Sequence, residues 1–143
     1  MRFCFLEEQT HGANYMELLG IHHAAIICSD YARSKHFYSN VLKLKVINEH
    51  FRAARNSYKL DLAMPDGSQI ELFSFDGAPA RPSYPEAQGL RHLAFKVKNV
   101  AQAKQYLESH NITVEEIRVD EITGKKFTFF ADPDNLPLEL YEV

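Results

Sequence analysis

The chain is written twice. His23-Ala-Ala-Ile-Ile-Cys-Ser-Asp30 matches His92-Leu-Ala-Phe-Lys-Val-Lys-Asn99 at an offset of 69 residues, and the same offset places Ala103 under Ser34 and Tyr106 under Phe37. A second match sets Pro65-Asp-Gly-Ser-Gln-Ile-Glu-Leu72 over Pro133-Asp-Asn-Leu-Pro-Leu-Glu-Leu140 at an offset of 68. Two independent matches at nearly one offset define a duplicated unit, about 20–75 and 89–143. Residues 76–88 between them hold three of the six prolines and read as an extended linker.

Each unit reads as strand, helix, then three strands, giving an α+β fold of two tandem βαβββ modules whose strands form a cupped mixed sheet. Residues 21–28 carry the apolar, β-branched run of a strand, and Ser29 or Asp30 can cap a helix through about 41. Leu44–Ile47 resumes extended structure, and Tyr58–Met64 and Ser68–Phe75 form a hairpin about Pro65-Asp66-Gly67. The second unit repeats the pattern with a strand at 91–98, a helix from Asn99 to about Ser109, a strand at 112–119 and a turn about Asp132–Asn135. Strand alternation sorts the faces. Leu93, Phe95 and Val97 meet the helix, so His92, Ala94, Lys96 and Lys98 face away from it. By the repeat, His23 and Ala25 also face away, with His22, Ala24 and Ile26 under the helix. Glu71 and Glu139, each flanked by aliphatics, belong to the same outward face. Phe73, Phe75, Phe127, Phe129, Phe130 and Tyr141 divide between core and cup wall.

The repeat therefore places a His on the first strand and a Glu on the last strand of each unit. His23, Glu71, His92 and Glu139 form a candidate site for one divalent ion. Imidazole and carboxylate suit Ni, Zn, Co, Mn or Fe, two carboxylates balance a dication, and the absence of Cys or Met from the set argues against soft metals. His22 is expected to pack or hydrogen-bond rather than ligate. His11, His36, His50 and His110 have no counterpart at the repeat offset. Arg52, Arg55 and Arg91 are candidate contacts to an anionic substrate.

Composition narrows the partners. Sixteen Lys and Arg against nineteen Asp and Glu give a formal charge of -3. That leaves no basic footprint for nucleic acid and no basic block for an anionic membrane. No apolar run reaches the roughly 18 residues that span a bilayer. Cys4 and Cys28 make no disulfide framework, which fits a cytoplasmic protein. Residues 1–19 are expected to be a disordered extension, and 20–143 a single domain.

A His-initiated strand, a helix carrying Phe37-Tyr38, an Ile-Glu-Leu strand, a second His strand and a terminal Asp-Pro-Asp-x-x-x-x-Glu-Leu resemble the vicinal oxygen chelate superfamily. That superfamily contains glyoxalase I, fosfomycin thiol transferases, extradiol dioxygenases and methylmalonyl-CoA epimerase. The resemblance covers residues 20–143 and implies paired βαβββ modules around one divalent ion. The His, Glu, His, Glu order on His23, Glu71, His92 and Glu139 is that of the bacterial glyoxalase I type, whereas the thiol transferases and dioxygenases use a His, His, Glu triad.

Two departures concern glutathione. The family's glutathione-using glyoxalases carry Arg four residues after the first ligand and Asn four after the second; here those positions are Ile27 and Phe75, both apolar. The resemblance implies a metal-dependent lyase or isomerase working on a small vicinal-oxygen substrate by metal-stabilised enediolate chemistry. Glu139 is the expected base and Glu71 the alternative. A non-catalytic metal-containing binding protein and an Fe(II) dioxygenase are the competing readings. A homodimer is expected, and the modules pair either within a chain or across that dimer.

Overall fold

A computed structural model of the chain describes residues 14–143. Most of the expected extension at 1–19 therefore lies outside the described residues, and 14–19 carry no regular structure beyond a turn at Asn14. Two four-stranded sheets account for the eight strands among the described residues. The first contains β1 (His23–Cys28), β2 (Lys45–Arg52), β3 (Ser57–Ala63) and β4 (Gln69–Ser74), in the order β1-β4-β3-β2. The second contains β5 (Leu93–Val97), β6 (Arg118–Val119), β7 (Lys126–Ala131) and β8 (Pro137–Glu142), in the equivalent order β5-β8-β7-β6. In both, the first and last strands run parallel and the other pairs antiparallel. The fold is α+β, as expected.

The repeat is structural down to its turns. Gly67 N donates to Met64 O at 3.0 Å and Met64 N to Ser68 O at 2.9 Å; Asn135 N donates to Asp132 O at 3.0 Å and Asp132 N to Leu136 O at 3.0 Å. Gly67 and Asn135 both take positive φ, at 88° and 65°. Only residues tolerant of the left-handed region suit that position, and the two modules solve it with the two residue types that do so most readily.

Helix α1 (Tyr31–Lys35) starts at Asp30, whose carboxylate accepts from Arg33 N at 3.1 Å, and continues as a π-helix over His36–Val41. Its counterpart α2 (Val100–Ser109) is capped by Asn99, which accepts from Gln102 N at 2.9 Å. Each such cap is worth about 1 kcal/mol. Phe37, Tyr38 and Val41 from the first module and Val100, Leu107, Phe130, Leu136, Leu138 and Leu140 from the second belong to one buried cluster. Tyr38 Oη donates to Asp132 Oδ2 at 2.7 Å and Tyr106 Oη to Val41 O at 2.7 Å, so the modules are pinned together as well as packed. Burial pushes the Tyr38 hydroxyl and the Asp132 carboxyl above their ordinary ranges.

The expected strand at 112–119 shrinks to Arg118–Val119. Ahead of it, Glu115 N still donates to Phe129 O at 2.9 Å, but Glu115 O is taken by the side chains of Thr128 at 2.7 Å and Lys104 at 3.1 Å, so the ladder does not continue. The linker carries no helix or strand, yet it is fastened. Arg81 Nη2 donates to Leu90 O and Arg91 O at 2.7 and 3.0 Å, and buried Ser83 donates from its hydroxyl to Asn135 O at 2.8 Å.

Candidate functional site

The parallel pairing of the first and last strands brings each His to its Glu. Ala25 lies opposite Glu71 in the first sheet and Ala94 opposite Glu139 in the second, so each Glu stands beside the residue two after the His. Side chains two apart share a face, and the small alanine leaves the histidine room to reach across. His23 Nε2 lies 2.8 Å from Glu71 Oε2, and His92 Nε2 lies 3.0 Å from Glu139 Oε2. Ile70, Leu72, Leu138 and Leu140, which alternate with the two glutamates, are buried, so both pairs occupy the face away from the helices.

The surroundings of the two pairs differ. In the first module Lys59 Nζ reaches Glu71 Oε1 at 2.8 Å and Asp61 Oδ1 at 3.1 Å. Those carboxylates hold the Lys59 ammonium above its ordinary range, Glu71 contributing most. The positions equivalent to Lys59 and Asp61, one repeat of 68 residues on, are Phe127 and Phe129. Phe129 meets the His92 ring edge-on with centroids 5.0 Å apart. One open face is charged and the other aromatic. Lys59 escaped sequence reasoning because the repeat gives it no like partner; its only signal was strand alternation with Asp61.

His22 stands outside the helix-packed position expected of it. It is exposed, and its Nδ1 lies 2.8 Å from His23 Nδ1. It precedes the first residue of β1, so the pleat does not dictate its direction. One ring must donate and the other accept, which locks the two tautomers to each other. His22 thus touches the His23 ring and not a helix.

Among the described residues, no group of three or more His, Cys, Asp or Glu side chains lies close enough to hold a metal. The chain thus brings together His23 with Glu71 and His92 with Glu139, and does not bring the two pairs to each other. Each pair fits as half of a metal site in donor chemistry and in spacing. Separations of 2.8 and 3.0 Å are those of a hydrogen bond, and also those of two donors at right angles on a shell of ~2.1 Å radius.

Beside His92 opens a cleft of about 820 Å³, walled by Phe129, Tyr84, Arg81, Arg91 and Arg118. Arg91 donates to Ser83 O at 2.7 Å, and Arg118 pairs with Glu115 at 2.8 Å. The linker thus supplies part of the wall. Arg52 ends β2 of the other sheet and Arg55 closes the short helical turn that follows, their guanidinium carbons 4.8 Å over the Phe73 ring and 5.9 Å over the Phe75 ring. Ile27, on the open side of β1, is half exposed. The one described thiol, Cys28, is buried, and burial pushes it up to about 11, which removes it as a nucleophile at neutral pH.

Comparison with known proteins agrees with this architecture. The chain is 57% identical over 127 residues to the uncharacterized protein YwkD of Bacillus subtilis (strain 168), spanning 89% of this chain and 99% of that one. It is 57% identical over 122 residues to the uncharacterized protein YaeR of Escherichia coli (strain K12), spanning 85% and 95%. The crystal structure of the glyoxalase family protein from Enterococcus faecalis superposes with a TM-score of 0.82 at 50% identity, over 89% of this chain and all of that chain. Residues 20–140 match the model of the glyoxalase/bleomycin resistance protein/dioxygenase superfamily, and this chain belongs to that superfamily.

Proposed function

We propose that this protein is a divalent-metal-dependent lyase or isomerase of the glyoxalase I type, acting on a small substrate with two adjacent oxygens. The observation that carries the reading is the pair of pairs: each module sets one imidazole nitrogen within 3.0 Å of one carboxylate oxygen on its open face. Two neutral nitrogens and two carboxylates make a donor set for Ni, Zn, Co, Mn or Fe(II). In this reading the set is completed in a homodimer, where His23 and Glu71 of one protomer face His92 and Glu139 of the partner subunit; the separation of the two pairs among the described residues supports it. A bound dication supplies a Lewis acid that stabilises negative charge developing on the substrate oxygens.

The chain's own residues do the rest. Glu139 is the base: it accepts a proton from one carbon of the oxygen-bearing pair and returns it to the other. Glu71 is held by Lys59 and is the weaker candidate, because an ammonium at 2.8 Å competes for the proton-accepting oxygen. Phe127 and Phe129 beside the second pair exclude water from the transfer. Ile27 and Phe75 leave glutathione without its usual contacts, so the preferred substrate is another small vicinal-oxygen compound. Protein purified without chelator should carry about one dication per chain, and that metal should be lost with its activity in His92→Ala. Metal-free protein that turns over an α-hydroxycarbonyl compound at full rate would overturn the reading.

A further inference from the structure

Every acid of the first module is already engaged, and two of its three arginines, Arg52 and Arg55, lie against aromatic rings without a counter-charge. Glu49 is held by Lys35 and Tyr31, Asp61 and Glu71 by Lys59, Asp66 by Ser68, and Asp30 caps α1, while Asp76 at the start of the linker is held by Asn56. Arg52 and Arg55 form no ion pair. The Arg52 guanidinium is nevertheless fixed: it stacks over Phe73 at 4.8 Å and Phe75 at 5.6 Å, and Nη2 donates to Ser57 Oγ at 3.1 Å. Its Nε is buried and donates to nothing. Arg55 lies over the far ring of the same stack, Phe73 and Phe75 being parallel with centroids 6.0 Å apart.

The second module shows what a satisfied version of this arrangement looks like. Arg118 stacks over Phe127 and Phe129 at 5.1 and 5.5 Å in the same manner, and Glu115 neutralises it at 2.8 Å. The Arg52 guanidinium, half-buried on two aromatic faces and without a counter-charge, is preorganised for a planar or tetrahedral oxyanion, and exposed Arg55 adds a second guanidinium beside the same stack. Phe73 follows Glu71 by two residues on one face, so the ring beneath this charge is rooted one pleat repeat, ~7 Å, along β4 from Glu71.

We propose that Arg52 and Arg55, held on the Phe73–Phe75 stack, bind an oxyanion group of the substrate, a carboxylate or a phosphate. The substrate is then a short vicinal-oxygen acid or phosphate ester rather than a neutral carbonyl compound. The substrate class rests on the function proposed above; the anion site itself does not.

The site is tested in full-length protein stripped of metal with EDTA, so that an absent metal centre leaves the result standing. Inorganic phosphate and acetate are titrated separately at low ionic strength, followed by amide NMR shifts. Saturable binding of either anion is expected to move the amides of Phe73 and Phe75, and the anion that binds identifies which oxyanion the site prefers. Arg52→Gln should weaken it ~10-fold or more, as loss of a charge-assisted, bidentate contact does. Arg55→Gln should weaken it less, and Arg33→Gln, which removes a guanidinium on helix α1 away from the stack, should leave it within about twofold. Thermal melts identify any variant that fails to fold; Arg52→Lys, which keeps the charge and loses the fork, then serves in place of Arg52→Gln and should also bind more weakly. Binding unchanged in both Arg52→Gln and Arg55→Gln would overturn the proposal. So would no saturable binding of either anion up to about 50 mM, the weak end of specific affinity.

Discussion

The ammonium of Lys59 lies 2.8 Å from Glu71 Oε1, on the carboxylate whose other oxygen meets His23. Asp61 and Glu71 are directly cross-strand partners, so without Lys59 two like charges face each other. Lys59→Met should therefore destabilise metal-free protein by about 1 kcal/mol, the scale of an adverse cross-strand charge pair. Urea unfolding in EDTA measures this. The double variant Lys59→Met/Asp61→Asn should recover most of the loss. Equal instability in single and double variants would mean that packing of the lysine stem, not charge, sets the cost.

Assembly makes a sharper prediction. If the donor set is shared between protomers, His23→Ala and His92→Ala each destroy both sites of their own homodimer. Mixed dimers keep one intact site, because the intact His23 and the intact His92 then meet. Co-refolding equal amounts of the two variants should restore about a quarter of wild-type metal, since half the dimers are mixed and each carries one site of two. Pairing within one chain gives no rescue at all. Metal analysis of the re-isolated mixture distinguishes the outcomes.

Much of this was legible in the sequence because a duplication prints its geometry twice. The offset of 68 that links Gly67 to Asn135 also links Glu71 to Glu139, and both pairs occupy equivalent places. Alternation placed His92 and Glu139 on the open face because Leu93, Leu138 and Leu140 leave no other choice. What failed was whatever the repeat does not encode. Residues 112–117 have strand-like composition, but side chains of Thr128 and Lys104 take the Glu115 carbonyl. His22 lies just outside the strand, where alternation has no force. Lys59 faces two acids in one module while its counterpart is an aromatic, so symmetry concealed it. The separation of the two His–Glu pairs within a chain depends on how the modules dock through Tyr38, Asp132 and Tyr106, and no local pattern carries that.

That docking contact has its own pH signature. Tyr38 donates to Asp132 at 2.7 Å in the buried seam between modules, and burial holds the Asp132 carboxyl above its ordinary value. A raised carboxyl favours folding below the ordinary range near pH 4 and loses that contribution as pH rises through the folded value. Tyr38→Phe removes a donor to the ionised form and raises it further. The variant should lose about 2 kcal/mol at pH 7, the scale of a hydrogen bond to a charged partner, and less at pH 4. Denaturant midpoints across that range test it. A deficit independent of pH would assign the loss to packing instead of to the bond.

The two glutamates, equivalent by repeat, should separate by function. Glu139 lies cross-strand from Phe129 and carries no Lys or Arg beside its His92 partner, whereas Glu71 carries Lys59 as well as His23. An amide still offers an oxygen to a metal but accepts no proton at neutral pH. Glu139→Gln is therefore expected to keep part of the metal and to lower turnover ~10²-fold or more beyond that loss, the usual scale for removing a general base. In Glu71→Gln turnover should fall only as far as metal content falls. The same pair of variants separates enzyme from binding protein, since a module that only binds has no proton step to lose, and its ligand affinity would follow metal occupancy in both. Turnover per bound metal, measured side by side once a vicinal-oxygen acid is found to react, decides the matter. If that ratio is unchanged in both variants, neither carboxylate is the base, and His23, Glu71, His92 and Glu139 serve as donors alone.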